Sequence, residues 1–146
     1  MTFPPFEMMA AALKSEGNIW AGYRKDRMDW YPQDLKAAHP PGGKAKNVYF
    51  AGCTASYVEH DIGQASVRLL DKAGVDFVHL GNEENCCGTP MLVAGRWDLF
   101  AEIMKRNIEL VKQAGADTVI VSCPACDMMA PVLPRVGEEA GYRLPD

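Results

Sequence analysis

The chain predicts an α/β fold, a small parallel sheet flanked by helices in three layers, on three observations. Three short runs, Val48-Tyr49-Phe50-Ala51, Val75-Asp76-Phe77-Val78-His79-Leu80 and Asp117-Thr118-Val119-Ile120-Val121-Ser122, are rich in β-branched and aromatic residues and read as buried strands. Between them lie two stretches with helical spacing, one carrying Ile62, Ala65, Leu69, Leu70 and Ala73, the other Phe100, Met104, Ile108 and Val111. The connections are short, and Gly74 and Gly115 punctuate them. A β-α-β-α-β-α order of this kind folds into a parallel sheet, and right-handed crossovers place the strands in the order 2-1-3.

Taken along the chain, Pro5 to Glu16 predicts a short helix with Phe6, Met9 and Leu13 on one side and Gly17 as its stop. A polar, aromatic stretch follows with Arg24, Arg27, Trp30 and Tyr31. Pro32, Pro40, Pro41, Gly42 and Gly43 mark the segment up to Lys46 as a linker. Residues 1–46 thus form an irregular N-terminal extension and residues 47–146 the folded domain. Trp20, Trp30 and Tyr31 suit either a partner surface or the edge of their own domain. The second long helix runs from about Arg96 to Ala114, with Lys105, Arg106 and Lys112 on a solvated face among Glu102 and Glu109. After the third strand, Cys123-Pro124-Ala125-Cys126 opens another helix, because proline suits the first helical position. Pro131 and Pro134 kink or split it.

Composition narrows the function. The 146 residues fit one domain with a real core, and a net charge of −4 without a basic stripe argues against nucleic acid as a partner. No apolar run reaches the roughly 18–20 residues of a membrane helix, and the first residues lack a signal-peptide pattern, so the expected location is cytoplasmic. Five cysteines are many for a reducing compartment and an awkward number for disulfide pairs.

All five fall at the carboxyl ends of strands, where open α/β sheets bind ligands. Cys53 follows the first strand, Cys86 and Cys87 follow the second, and Cys123 and Cys126 follow the third. Topology therefore gathers them at one rim, although each would pass singly as a buried apolar filler. Two metal readings remain open from the residues: a structural zinc on four thiolates, and an iron–sulfur cluster. Both sulfurs of the vicinal pair can face one multi-iron object where the backbone turns sharply, as Gly88 and Pro90 permit. A third reading is a thioredoxin-like dithiol oxidoreductase, with Cys123 as attacking thiolate and Cys126 resolving it.

Thirty-two residues separate Cys53 from Cys86-Cys87-Gly88, and 35 separate Cys87 from Cys123-Pro124-Ala125-Cys126. This pattern, over about residues 47 to 130, resembles the cysteine-rich CCG domain found in the B-type and D-type proteins of heterodisulfide reductases and in related iron–sulfur oxidoreductases. Glu16-Gly17-Asn18-Ile19-Trp20, with Arg27 and Trp30 after it, looks like the linker before the first such domain in the D-type proteins. The resemblance implies a noncubane [4Fe–4S] cluster with Cys53, Cys86, Cys87, Cys123 and Cys126 as its ligands, one of the vicinal pair serving as a bridge. It further implies cleavage of a thiol/disulfide substrate in one-electron steps. Electrons would come from a ferredoxin-type or cubane-cluster donor subunit, in some relatives within a membrane complex reached through a partner. The reductase proteins carry two such motifs, and the D-type ones add ferredoxin-type cysteines. The single motif here implies a fragment or a split subunit that works with a partner.

Among other side chains, His60 and His79 are placed to donate to a sulfur or to protonate a leaving thiol, or else are partly exposed without a role. Glu83 and Glu84 are expected in solvent, since negative charge beside anionic sulfur is unfavourable. Met128 and Met129 are expected as a dry wall beside the cluster.

Overall fold

The computed structural model describes residues 4–127. Helix α1 (Pro4–Glu16) comes first, followed by short 3-10 turns at Arg24–Asp26 and Gln33–Leu35. Then follow β1 (Asn47–Phe50), α2 (Gly52–Tyr57), α3 (His60–Lys72), β2 (Phe77–Val78), a 3-10 turn at Gly81–Glu83, α4 (Thr89–Val93), α5 (Trp97–Gln113), β3 (Thr118–Val121) and α6 (Pro124–Asp127). The three strands form one parallel sheet in the order β2-β1-β3. Asn47 pairs with Phe77 on one side and with Thr118 on the other, and the second register continues to Phe50 opposite Val121.

Strand alternation sorts the core into two layers. Val48 and Phe50 of β1, with Val78 and Leu80, face Ala10 and Leu13 of α1 and Leu99, Phe100, Ile103 and Met104 of α5. Tyr49 and Ala51 point the other way, with Phe77, into a cluster of Val67 from α3 and Trp30, Tyr31 and Leu35 from the upstream segment. Four of the five cysteines (Cys53, Cys86, Cys87 and Cys126) belong to the first layer.

Several expectations change at this level. Trp30 and Tyr31 are core residues at 2% exposure; of the three aromatics only Trp20 is open to solvent. The inner face of α3 is Gly63 and Val67, whereas Ile62 and Leu69 are exposed, Leu69 at 69%. The reason is Trp30: a Cβ on Gly63 would lie 2.7 Å from its indole ring, so the glycine is the notch that turns α3 inward. β3 is less buried than its apolar sequence suggests, with Thr118 and Val119 exposed and Ile120 and Val121 half-buried. It lies at the sheet edge with β1 as its one strand neighbour, so an uninterrupted apolar run does not amount to a central position. Arg106 of α5 pairs with Glu83 at 3.0 Å. Met128, Met129, Pro131 and Pro134 lie outside the described residues.

Candidate functional site

Each strand end delivers its cysteines by a local device. After β1, Gly52 takes a left-handed φ of 76°, and α2 starts at once, so Cys53 sits in a helical first turn rather than in the expected loop. After β2, the chain turns through Asn85-Cys86-Cys87 to Gly88, whose φ of 81° is likewise left-handed. The Gly88 N–H then donates to Cys86 Sγ at 3.5 Å, and α4 follows with Pro90 in its first turn. After β3, Pro124 opens α6, and the Cys126 N–H donates to the Cys123 carbonyl at 2.9 Å.

The outcome is a single concavity of about 290 Å³ lined by all five cysteines. Cys53 Sγ and Cys86 Sγ stand 3.6 Å apart, and the Cys87 thiol donates to Thr89 Oγ1 at 3.3 Å. Thr89 Oγ1 in turn donates to the Ala125 carbonyl at 2.8 Å, which ties the second cysteine loop to the third. Phe6, Ile19, Pro90, Val93 and Ala125 complete an apolar wall. Gly52 admits Cys126: a Cβ there would meet its Sγ at 2.9 Å. All five thiols are free. Among the described residues, no group of three or more His, Cys, Asp or Glu side chains converges to hold a single metal ion. The sulfurs are spread over the walls of a volume, which is the donor arrangement a multi-metal body needs.

The cysteine-rich domain family CCG matches residues 47–130. The chain belongs to this family. Similar curated proteins include the D-type protein of the dihydromethanophenazine:CoB–CoM heterodisulfide reductase of Methanosarcina acetivorans, 38% identical over 83% of this chain and 30% of its own length. The EtfAB:quinone oxidoreductase of Syntrophomonas wolfei is 35% identical over 72% of this chain and 15% of its length. The B-type protein of the fumarate reductase (CoM/CoB) of Methanothermobacter marburgensis is 33% identical over 62% of this chain and 18% of its length. The chain therefore spans a third or less of these relatives. No solved structure matches it. Among the described residues, no helix of this CCG domain is long and apolar enough to cross a membrane.

The thiols of the CCG domain divide their protons unevenly. Hydrogen bonding with Cys86 lowers Cys53, against the opposing effect of burial. Hydrogen bonding with Cys126, then with Cys86, lowers Cys87. The partners move the other way: Cys86 is raised by its bonds to Cys53 and Cys87, and Cys126 by its bond to Cys87. A thiol raised in the fold stabilises it below the unfolded pKa and loses that contribution as pH climbs. A lowered thiol contributes above the unfolded pKa and loses its share as pH falls. With an ordinary thiol value of 9.0, and with Tyr31 pushed up by burial to about 12, only losses remain on the alkaline side. Metal-free protein is expected to show a falling urea midpoint from about pH 9 to about pH 11, and a rising midpoint would contradict this distribution.

The acidic and basic residues depart most from expectation. Glu83 is exposed, but Glu84 is fully buried, at 0% exposure. Its carboxylate accepts the N–H groups of Ala51 at 3.1 Å and Gly52 at 3.0 Å and pairs with buried Arg27 at 3.0 Å. Those partners offset a desolvation that would otherwise exclude it from the interior. His79 is buried rather than partly exposed, and it sits among Trp30, Tyr31 and Tyr49 in the layer away from the cysteines. Its Nδ1 accepts the Gly81 N–H at 2.9 Å, while Nε2 stands 3.2 Å from Glu84 without the alignment of a hydrogen bond. It is thus no donor to a sulfur. His60 is exposed at the start of α3. Sequence reasoning also passed over Thr89 and Asn107, whose Nδ2 donates to the Cys86 carbonyl at 2.9 Å.

Proposed function

We propose that this CCG domain holds an iron–sulfur cluster on Cys53, Cys86, Cys87, Cys123 and Cys126, a noncubane [4Fe–4S] type, within an oxidoreductase acting on thiols and disulfides. The observation that carries the reading is the one cavity walled by all five sulfurs. A lone zinc takes four ligands at one point and leaves a thiol over, whereas a multi-iron body uses thiolates distributed around it. The names of the relatives, which include components of a heterodisulfide reductase and a fumarate reductase and a quinone oxidoreductase, support redox work in partnership with other subunits. When bound, the cluster supplies single-electron reduction of a sulfur–sulfur bond.

The residues of the chain prepare for that group. Cys53 and Cys87, the two thiols with lowered pKa, are the first to meet metal as thiolates, while Cys86 and Cys126 release protons on loading. Gly88 contributes an N–H to Cys86 Sγ, which favours added negative charge on that sulfur. Phe6, Ile19 and Val93 keep bulk water from the cavity wall. A ferredoxin-type or cubane-cluster donor subunit would pass electrons to the site, in the cytoplasm or on a membrane complex joined through that partner. Anaerobic purification followed by metal analysis and electron paramagnetic resonance tests the proposal. The expected result is brown protein with about four irons per chain; colourless protein with one zinc per chain would overturn it.

A further inference from the structure

Apart from the thiols, the described residues bury a charged cluster made of Arg27 and Glu84, both at 0% side-chain exposure, with His79 beside them. Three segments meet on it. Glu84, two residues before Cys86, holds the N–H groups of Ala51 and Gly52, the two residues before Cys53. Arg27 Nη1 donates to Glu84 Oε1 at 3.0 Å and reaches Ser56 Oγ at 3.4 Å, on the helix that carries Cys53. Ser56 Oγ donates to the Gly52 carbonyl at 2.8 Å. Arg27 Nη2 donates to the Gly17 carbonyl at 3.1 Å, and the same carbonyl accepts the Cys86 N–H at 2.7 Å. The guanidinium also lies 5.3 Å from the ring centre of Tyr57, at the end of α2.

A buried ion pair is a poor source of stability, because apolar side chains of like volume do as well or better. What the pair supplies here is geometry. Arg27 lies upstream of residues 47–130, in the stretch that composition alone marks as an extension. Its fork is planar and charged, with donors in fixed directions, so it reaches Glu84, Ser56 and Gly17 at once in a way that a point charge does not. Its charge also favours Cys53 as thiolate.

We propose that Arg27 is a positioning residue of the cysteine site: through Glu84, Ser56 and Gly17 it locks the Cys53 turn and the Cys86 turn at one separation. The proposal rests on the iron–sulfur reading for its consequence, since a cluster spanning both turns feels that separation in its electronic structure. The N-terminal segment is then part of the site, although it supplies no cysteine.

The test uses the full chain. The double variant Arg27→Met with Glu84→Met removes both charges and leaves no buried ion unpaired, so it is expected to keep the wild-type circular dichroism. It is expected to lose most of its iron after anaerobic reconstitution, or to give an altered paramagnetic resonance signal. Arg27→Lys keeps the charge without the fork and is expected to restore the iron content with a shifted reduction potential. A double variant with wild-type iron, signal and potential would overturn the proposal. Should that variant fail to fold, amide hydrogen exchange on wild-type metal-free protein decides the matter. Ala51, Gly52 and Cys86 are expected to open as one unit, and protection differing by an order of magnitude between the two turns would overturn the lock. Wild-type protein that takes up no iron would instead remove the iron–sulfur reading, and the exchange experiment still tests the lock.

Discussion

Cys87→Ala is expected to abolish the native cluster signal while leaving the metal-free fold in place. Cys87 Sγ is buried, donates to Thr89, and shares hydrogen bonding with both Cys126 and Cys86. It thus stands between the second and third cysteine loops, and its loss leaves the remaining sulfurs in two separated groups. The structural cost is small by comparison: removing one buried sulfur atom is a large-to-small change of order 1–2 kcal/mol. Iron content and paramagnetic resonance on the reconstituted variant, beside circular dichroism on the metal-free form, separate the two effects. An unchanged signal would strike Cys87 from the ligand set. A signal lost together with the fold would mean that the thiol is needed for packing.

Glu84→Ala is expected to cost about 3–5 kcal/mol, the range found when one member of a buried pair is removed. The substitution leaves the Arg27 guanidinium as an uncompensated charge in the interior. It also strips the Ala51 and Gly52 N–H groups of their acceptor. Against a domain stability of about 5–15 kcal/mol, that is a third or more of the whole. Urea denaturation of the metal-free protein measures it. A loss below about 1 kcal/mol would show that water replaces the carboxylate with little penalty, as at exposed pairs.

The strand order 2-1-3 was legible because three apolar runs alternate with two periodic helices, and handedness permits few other arrangements. The gathering of the cysteines at one rim followed from the same reasoning. The ion pair was not legible, for a physical reason: a charged residue read alone belongs in water, and only its partners change that. Arg27 and Glu84 are 57 positions apart, and two of the other partners of Glu84 are backbone N–H groups that carry no side-chain signature. The inner face of α3 was misjudged because Gly63 adds nothing to a hydrophobic pattern, yet its missing side chain is what Trp30 fills. Helices α2 and α4 span one or two turns, too short for a period to register.

Gly52 offers a different kind of handle on the site. Its bare main chain is where the Cys126 sulfur rests, and its own dihedral is one that side chains resist. A single methyl at that position would crowd out a donor atom while every thiol stays in the polypeptide. The domain therefore contains its own matched blank: a chain with full sulfhydryl count and impaired assembly, against which colour, metal uptake and thiol chemistry are read without deleting a cysteine.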